Sequence, residues 1–307
     1  MAQKHQGAFR LFRLFGIEVY LHWVWFLVAA YQIFDSSRRY SSINWNILEY
    51  LSLFVIVLLH EFGHSLACRS VGGRANLILL WPFGGIAYVS PPQRAGAMLW
   101  SIAAGPLVNV ALVPVTFGLA TFGHSLGWKF SHPDLQNFLQ MMMLINLFLL
   151  IFNLLPVYPL DGGQILRSLL WFAFGRAKSL MIASVVGFVG VAAVLAYAVW
   201  AQSNWLIIMT LLFIAPRCWQ GFQQARELSR REKMPRHADY KCPSCHESPV
   251  AGEFWQCGKC GAAFDTFVTR AVCPNCQTQF AQTACLDCGE VNAFTEWTKP
   301  DVSPPKL

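Results

Sequence analysis

Six stretches of this chain are too apolar and too long for an ordinary soluble core. They run over about 18–34, 44–70, 95–122, 135–155, 179–201 and 204–222. The hydrocarbon layer of a bilayer, ~30 Å thick, needs ~20 mostly apolar residues per helix. The fold class expected is a polytopic α-helical membrane protein with about six transmembrane helices. Only 13% of the 307 residues are charged, against ~25% in globular proteins, and those charges are unevenly placed. Residues 1–222 hold 13 Lys and Arg against 6 Asp and Glu, whereas 223–307 hold 10 against 10. The organisation expected is a membrane core over 1–222, a linker over 223–241, a small Cys-rich domain over 242–290 and a tail over 291–307.

The formal net charge of +7 comes entirely from the core, 13 − 6. Basic residues flanking hydrophobic spans mark topology, so the bilayer is the expected partner and nucleic acid is not. With the amino terminus inside, the short inner segments hold Arg69, Arg74 and Arg94, then Arg167, Arg176 and Lys178, then Arg217 and Arg226. The outer loops hold only Arg38, Arg39 and Lys129. The amino terminus and the Cys-rich domain are therefore expected on the cytoplasmic side. Lys4, Arg10 and Arg13 precede the first span as they would a signal peptide. Val28-Ala29-Ala30 runs on into Tyr31-Gln32-Ile33-Phe34 without a cleavage site, so this span reads as a retained helix.

Two stretches do not fit simple helices. Residues 74–89 form two apolar runs around Pro82-Phe83-Gly84-Gly85, the punctuation of a hairpin. Residues 153–163 set Pro156, Pro159, Gly162 and Gly163 at the end of the fourth span, where the prolines must break the helix. Irregular backbone at membrane depth survives only against protein or a water-filled cavity, so both point to a polar interior.

The chemistry sits beside them. In His60-Glu61-Phe62-Gly63-His64 the two histidines are four apart on one helical face and can reach one zinc ion, with Glu61 placed to act as general base on its water. A polar knot that merely packs helices is the competing reading, but ionisable groups in an apolar helix are functional by default. Zinc held by two histidines needs a third protein ligand. Of the six core carboxylates, Glu18, Asp35, Glu49 and Asp134 lie near span ends or in loops. Asp161 remains, at a depth comparable with His60 and His64 near the cytoplasmic face; its plainer reading is a helix cap. The same His/Asp site in a membrane metal-ion transporter is the alternative function. Asn109 reads equally as a neighbour of the site or as a helix-joining residue, and His22 as a packing histidine.

At these residues the chain resembles the site-2 protease family of intramembrane zinc metalloproteases. The resemblance covers about 10–220. It rests on His60 to His64, on Ala104-Gly105-Pro106-Leu107-Val108-Asn109 and on Asn153 through Asp161-Gly162, with the 82–85 hairpin and Gly16-Ile17-Glu18-Val19-Tyr20-Leu21-His22 resembling the branch with a compact six-helix core. It implies that His60, His64 and Asp161 bind zinc, that Glu61 activates water and that Asn153 helps hold the substrate backbone. It also implies hydrolysis of peptide bonds in or near transmembrane segments of membrane-anchored proteins, as in regulated intramembrane proteolysis. The 74–89 hairpin would either offer an edge to an extended substrate or plug the cavity.

The Cys-rich domain carries four Cys-x-x-Cys pairs: Cys242/Cys245, Cys257/Cys260, Cys273/Cys276 and Cys285/Cys288. Spacers of eleven and eight residues group the first pair with the second and the third with the fourth. Two structural four-cysteine zinc sites resembling zinc ribbons are expected, disulfides being disfavoured on a reducing cytoplasmic side. Closed sites do no hydrolysis; they fold small domains, and substrate recruitment, regulation through a partner protein and nucleic-acid contact all stay open as the role of this one. It departs from the family's commoner tandem-repeat regulatory domain.

Overall fold

The computed structural model describes residues 7–35, 39–81, 84–201 and 205–297; Pro82, Phe83 and the last ten residues of the expected tail lie outside them. The chain divides into two compact units, Met1–Gln224 and Ala225–Leu307.

The first unit opens with a hairpin, β1 (Ala8–Leu14) and β2 (Ile17–His22), followed by α1 (Val24–Asp35) and α2 (Ile43–Ser70). A second hairpin, β3 (Arg74–Trp81) and β4 (Gly84–Ser90), leads into α3 (Ala95–Ser125) and the short α4 (Trp128–Ser131). Then come α5 (Pro133–Leu154), α6 (Asp161–Phe174), α7 (Arg176–Trp200) and α8 (Trp205–Glu232). Among the described residues α2, α3, α5 and α7 are long and apolar enough to cross a membrane.

The expected hairpin over 74–89 forms, with Ile78 opposite Ala87 and Leu80 opposite Gly85. It belongs to a larger four-stranded sheet of order β1-β2-β3-β4, in which β2 and β3 run parallel. The helix expected over 18–34 is not continuous, because Ile17–His22 is sheet. Ile17, Val19 and Leu21 alternate into a core with Trp25, Tyr50, Val57, Phe62, Ile78 and Leu80, and period two is what one buried sheet face requires. The remaining helix, α1, has 12 residues, about 18 Å at 1.5 Å per residue.

α2 starts where the Ser42 side chain accepts the Asn44 N–H. It ends at Ser70, capped by Val71, and the chain turns away at Gly72, whose φ of +84° suits glycine. α5 stops at Leu154 and α6 restarts at Asp161, the break expected from Pro156 and Pro159. The segment between is gripped closely: the Cys218 thiol donates to the Tyr158 carbonyl oxygen at 2.7 Å. A Cβ placed on Gly221 of α8 would lie 2.7 Å from the Tyr158 ring. In the second unit four short strands, β5 (Trp255–Gln256), β6 (Ala263–Phe264), β7 (Gln282–Ala284) and β8 (Val291–Ala293), pair as two hairpins. Asp265 gathers the Gly252 and Phe267 N–H groups and the His237 ring at 2.7–3.0 Å. Burial alone would raise its carboxyl, but these partners outweigh it and hold the group below its ordinary range.

Candidate metal centres

His60 and His64 stand one turn apart on α2, both buried. The restart of the chain at α6 brings Asp161 onto them. His60 Nε2 and His64 Nε2 lie 3.1 Å apart, and Asp161 Oδ2 lies 3.0 Å from the first and 3.3 Å from the second. The direction of the other ring nitrogens decides what these atoms are. His64 Nδ1 lies 3.0 Å from the Ser101 carbonyl oxygen, which can only accept, so Nδ1 carries the proton. His60 Nδ1 lies 2.5 Å from Asn109 Oδ1 and is assigned the same tautomer. Both Nε2 atoms then present lone pairs to each other and to a carboxylate. Three acceptors this close in an apolar interior repel unless a cation lies between them. Tetrahedral ligands at ~2.0–2.1 Å from zinc stand about 3.3–3.4 Å apart, close to what is seen, so the donor set fits the metal.

Close helix packing makes the cluster possible. A Cβ on Gly63 would come within 2.7 Å of the Ala104 carbonyl oxygen, and one on Gly105 would collide with the His64 ring. The small residues of Ala104-Gly105-Pro106 thus let α3 lie against the ligand face of α2. Asn109, left open between two roles by the sequence, is fully buried beside His60.

The Glu61 carboxyl, next in sequence to His60, reaches the second hairpin. Its Oε2 accepts the Ala87 N–H at 2.9 Å, and a Cβ on Gly85 would collide with its carboxyl. Since β4 is the outer strand of the sheet, the edge that carries this amide faces the carboxylate. Asn153 sits half-buried in the last turn of α5. His22 is a packing residue, its ring 4.0 Å from that of Trp81.

In the second unit the eight cysteines form two clusters, but not the expected ones. The pairing is nested: Cys242, Cys245, Cys285 and Cys288 make one, Cys257, Cys260, Cys273 and Cys276 the other. The cause is a motif repeated four times. In each pair the first cysteine's N–H donates five residues on, to Glu247, Ala262, Thr278 and Glu290, and its carbonyl accepts from the residue four on. That fourth residue has positive φ in every copy: His246, Gly261, Gln277 and Gly289. Each knuckle closes on itself, so spacer length does not choose its partner; packing does. Sulfurs lie 3.8 Å apart for Cys242–Cys288 and Cys245–Cys285, and 3.5 and 3.6 Å for Cys257–Cys276 and Cys260–Cys273. These are not disulfides; at Zn–S ~2.3 Å a tetrahedral site separates sulfurs by about 3.8 Å. The Thr278 hydroxyl and amide pull the Cys276 thiol down to about 6. The Cys245 thiol alongside, with burial, pushes Cys285 well up. Crowded sulfurs do not all ionise without a cation among them.

The chain is 36% identical over 186 residues to a zinc metalloprotease of Methanocaldococcus jannaschii and 33% identical over 189 residues to a putative zinc metalloprotease of Synechocystis sp.. Those matches take in 59% and 58% of this chain, which spans 50% and 48% of the two relatives. In structure it is similar to the site-2 protease from Methanocaldococcus jannaschii, with a TM-score of 0.50 and 30% identity over 70% of this chain and 95% of that one. The family model for peptidase family M50 matches residues 49–133 and 128–197. That stretch holds His60, Glu61, His64 and Asp161 together, and the chain belongs to peptidase family M50.

Proposed function

We propose that this chain is an intramembrane zinc metalloprotease that cuts membrane-anchored proteins in or near their transmembrane segments. The observation that carries the reading is the convergence of His60 Nε2, His64 Nε2 and Asp161 Oδ2 within 3.3 Å of one another, with Glu61 next in sequence to a ligand. Zinc held by those three atoms would supply Lewis acidity to the scissile carbonyl and acidify the attacking water. Glu61 takes that water's proton and passes it to the leaving amine. Its Oε2 is anchored on Ala87, which leaves Oε1 for the transfer, and glycine at position 85 keeps that side clear. Asn153, eight residues before Asp161, is proposed to hold the substrate backbone. No observation favours transport through the same residues.

The sidedness follows from the basic residues: amino terminus, site and tail on the cytoplasmic side. Six crossings are proposed, the first made in two parts. β2 serves the inner half, and α1 runs antiparallel to α2 along the outer half, with Tyr50 donating to the Trp25 carbonyl at 2.7 Å and Asn46 to that of Ile33 at 3.5 Å. α8 supplies the sixth. In the tail, two four-thiolate zinc ions would leave no open position for chemistry, so this unit presents a surface to a regulatory protein.

The test is cleavage of a panel of labelled single-span substrates by the purified chain and by Glu61→Gln, with and without a zinc chelator. Cleavage lost in both the variant and the chelated protein supports the reading. Cleavage that survives Glu61→Gln removes Glu61 as the base.

A further inference from the structure

His60 can offer a lone pair at Nε2 only while its proton stays on Nδ1. Nδ1 faces the side chain of Asn109, and a carboxamide has two opposite ends: Oδ1 accepts, Nδ2 donates. Were Asn109 turned over, its N–H would face Nδ1 and drive the proton to Nε2, where a metal ligand is needed. Something must set its direction.

α5 places Asn146 for this. The residue is fully buried and meets Asn109 twice: Asn109 Nδ2 donates to Asn146 Oδ1 at 2.8 Å, and Asn146 Nδ2 donates to the Asn109 backbone oxygen at 3.1 Å. The backbone oxygen can only accept and cannot turn over. It therefore fixes Asn146 Nδ2 on its own side, Asn146 Oδ1 then takes the Asn109 amide, and Asn109 Oδ1 is left to His60. We infer that Asn146 is a positioning residue for the metal site, directing the Asn146–Asn109–His60 relay so that the His60 Nε2 lone pair stays available. Ordinary interhelical glue would account for two hydrogen bonds between α3 and α5, but not for their one consistent direction ending at a ligand. The inference rests on the metal-site reading above.

The test is Co²⁺ titration of the full chain in detergent. Four-thiolate sites reveal themselves by sulfur-to-metal charge-transfer bands, whereas a His/Asp site shows weaker d–d bands without them. Loss of an outer hydrogen-bond partner costs a metal site about 10–100-fold in affinity. Asn146→Leu is expected to weaken the His/Asp site by that factor and leave the thiolate bands unchanged. Adding Asn109→Asp is expected to restore most of the loss, because a carboxylate accepts whichever way it turns and needs no director. A packing defect at 146 would not be cured by a change at 109. Unchanged Co²⁺ affinity in Asn146→Leu, or a double variant as weak as the single, overturns the inference. Should Asn146→Leu not fold, Asn146→Ala, which cannot overpack, carries the same comparison. A wild-type chain with thiolate sites only would instead overturn the metal-site reading itself.

Discussion

At the scale of single residues, the glycines around the site separate two functions that the sequence runs together. Gly105 faces His60 and His64, the proposed metal ligands, and Gly85 faces Glu61, the proposed base. Gly105→Ala pushes a methyl group into the His64 ring and should abolish zinc binding in the core along with cleavage, read by metal content. Gly85→Ala pushes on the Glu61 carboxyl instead. It should keep the metal and lose cleavage by about 10²–10⁴-fold, the usual contribution of a general base. Retained cleavage in Gly85→Ala would mean that Glu61 has room to relocate. Histidines four apart with a glutamate between them are legible in any sequence, because one helical face dictates the spacing. Asp161 was reachable by elimination among six carboxylates. Asn146 was not: a lone asparagine in an apolar run reads the same whether it glues helices or directs a relay, and only its hydrogen-bond partners tell.

At the scale of elements, hydrophobicity told membrane from water but not strand from helix. Residues 18–22 fall in the helical span expected over 18–34, because Val-Tyr-Leu-His-Trp-Val continues the apolar run. Their strand character depends on β3, more than fifty residues later, arriving parallel to them, and no local pattern announces that. The broken end of the fourth span was legible because proline acts locally. What lay beyond it, α6, was not anticipated as a separate helix. Its first turn packs so tightly that a Cβ on Gly162 would collide with the Leu154 and Leu155 carbonyls, and one on Gly163 with the backbone at Val157–Tyr158. Overpacking of this kind costs about 1–3 kcal/mol, here against backbone that cannot rotate aside. Gly162→Ala should therefore lower the thermal midpoint and also swing Asp161 off the histidines. The check is to follow melting and Co²⁺ binding together: a fall in stability with Co²⁺ affinity intact would show that the first turn of α6 is not what aims Asp161.

At the scale of the whole molecule, three candidate metal centres of two chemistries lie among the described residues, and they answer differently to mutation. The order of the cysteine pairs suggested two consecutive sites, each local in sequence. The nested arrangement instead ties Cys242/Cys245 to Cys285/Cys288 across the entire inner site. The two arrangements make opposite predictions for metal counts by native mass spectrometry. If pairing were consecutive, replacing Cys242 and Cys245 by Ser would cost one ion, replacing Cys285 and Cys288 would cost another, and the combined variant would lose both. With nested pairing, each double variant removes the same outer ion, and the quadruple variant loses no more than either. The inner ion should persist in all three, because Cys257, Cys260, Cys273 and Cys276 keep both their knuckles. Trp297 and Phe267, which pack with the outer cysteines, should become accessible, since closing a metal site is part of what folds so small a unit. The His60–His64–Asp161 site shares no ligand with either cluster, so its Co²⁺ affinity should be untouched by any of these changes. A second ion lost from the quadruple variant would refute the nested pairing.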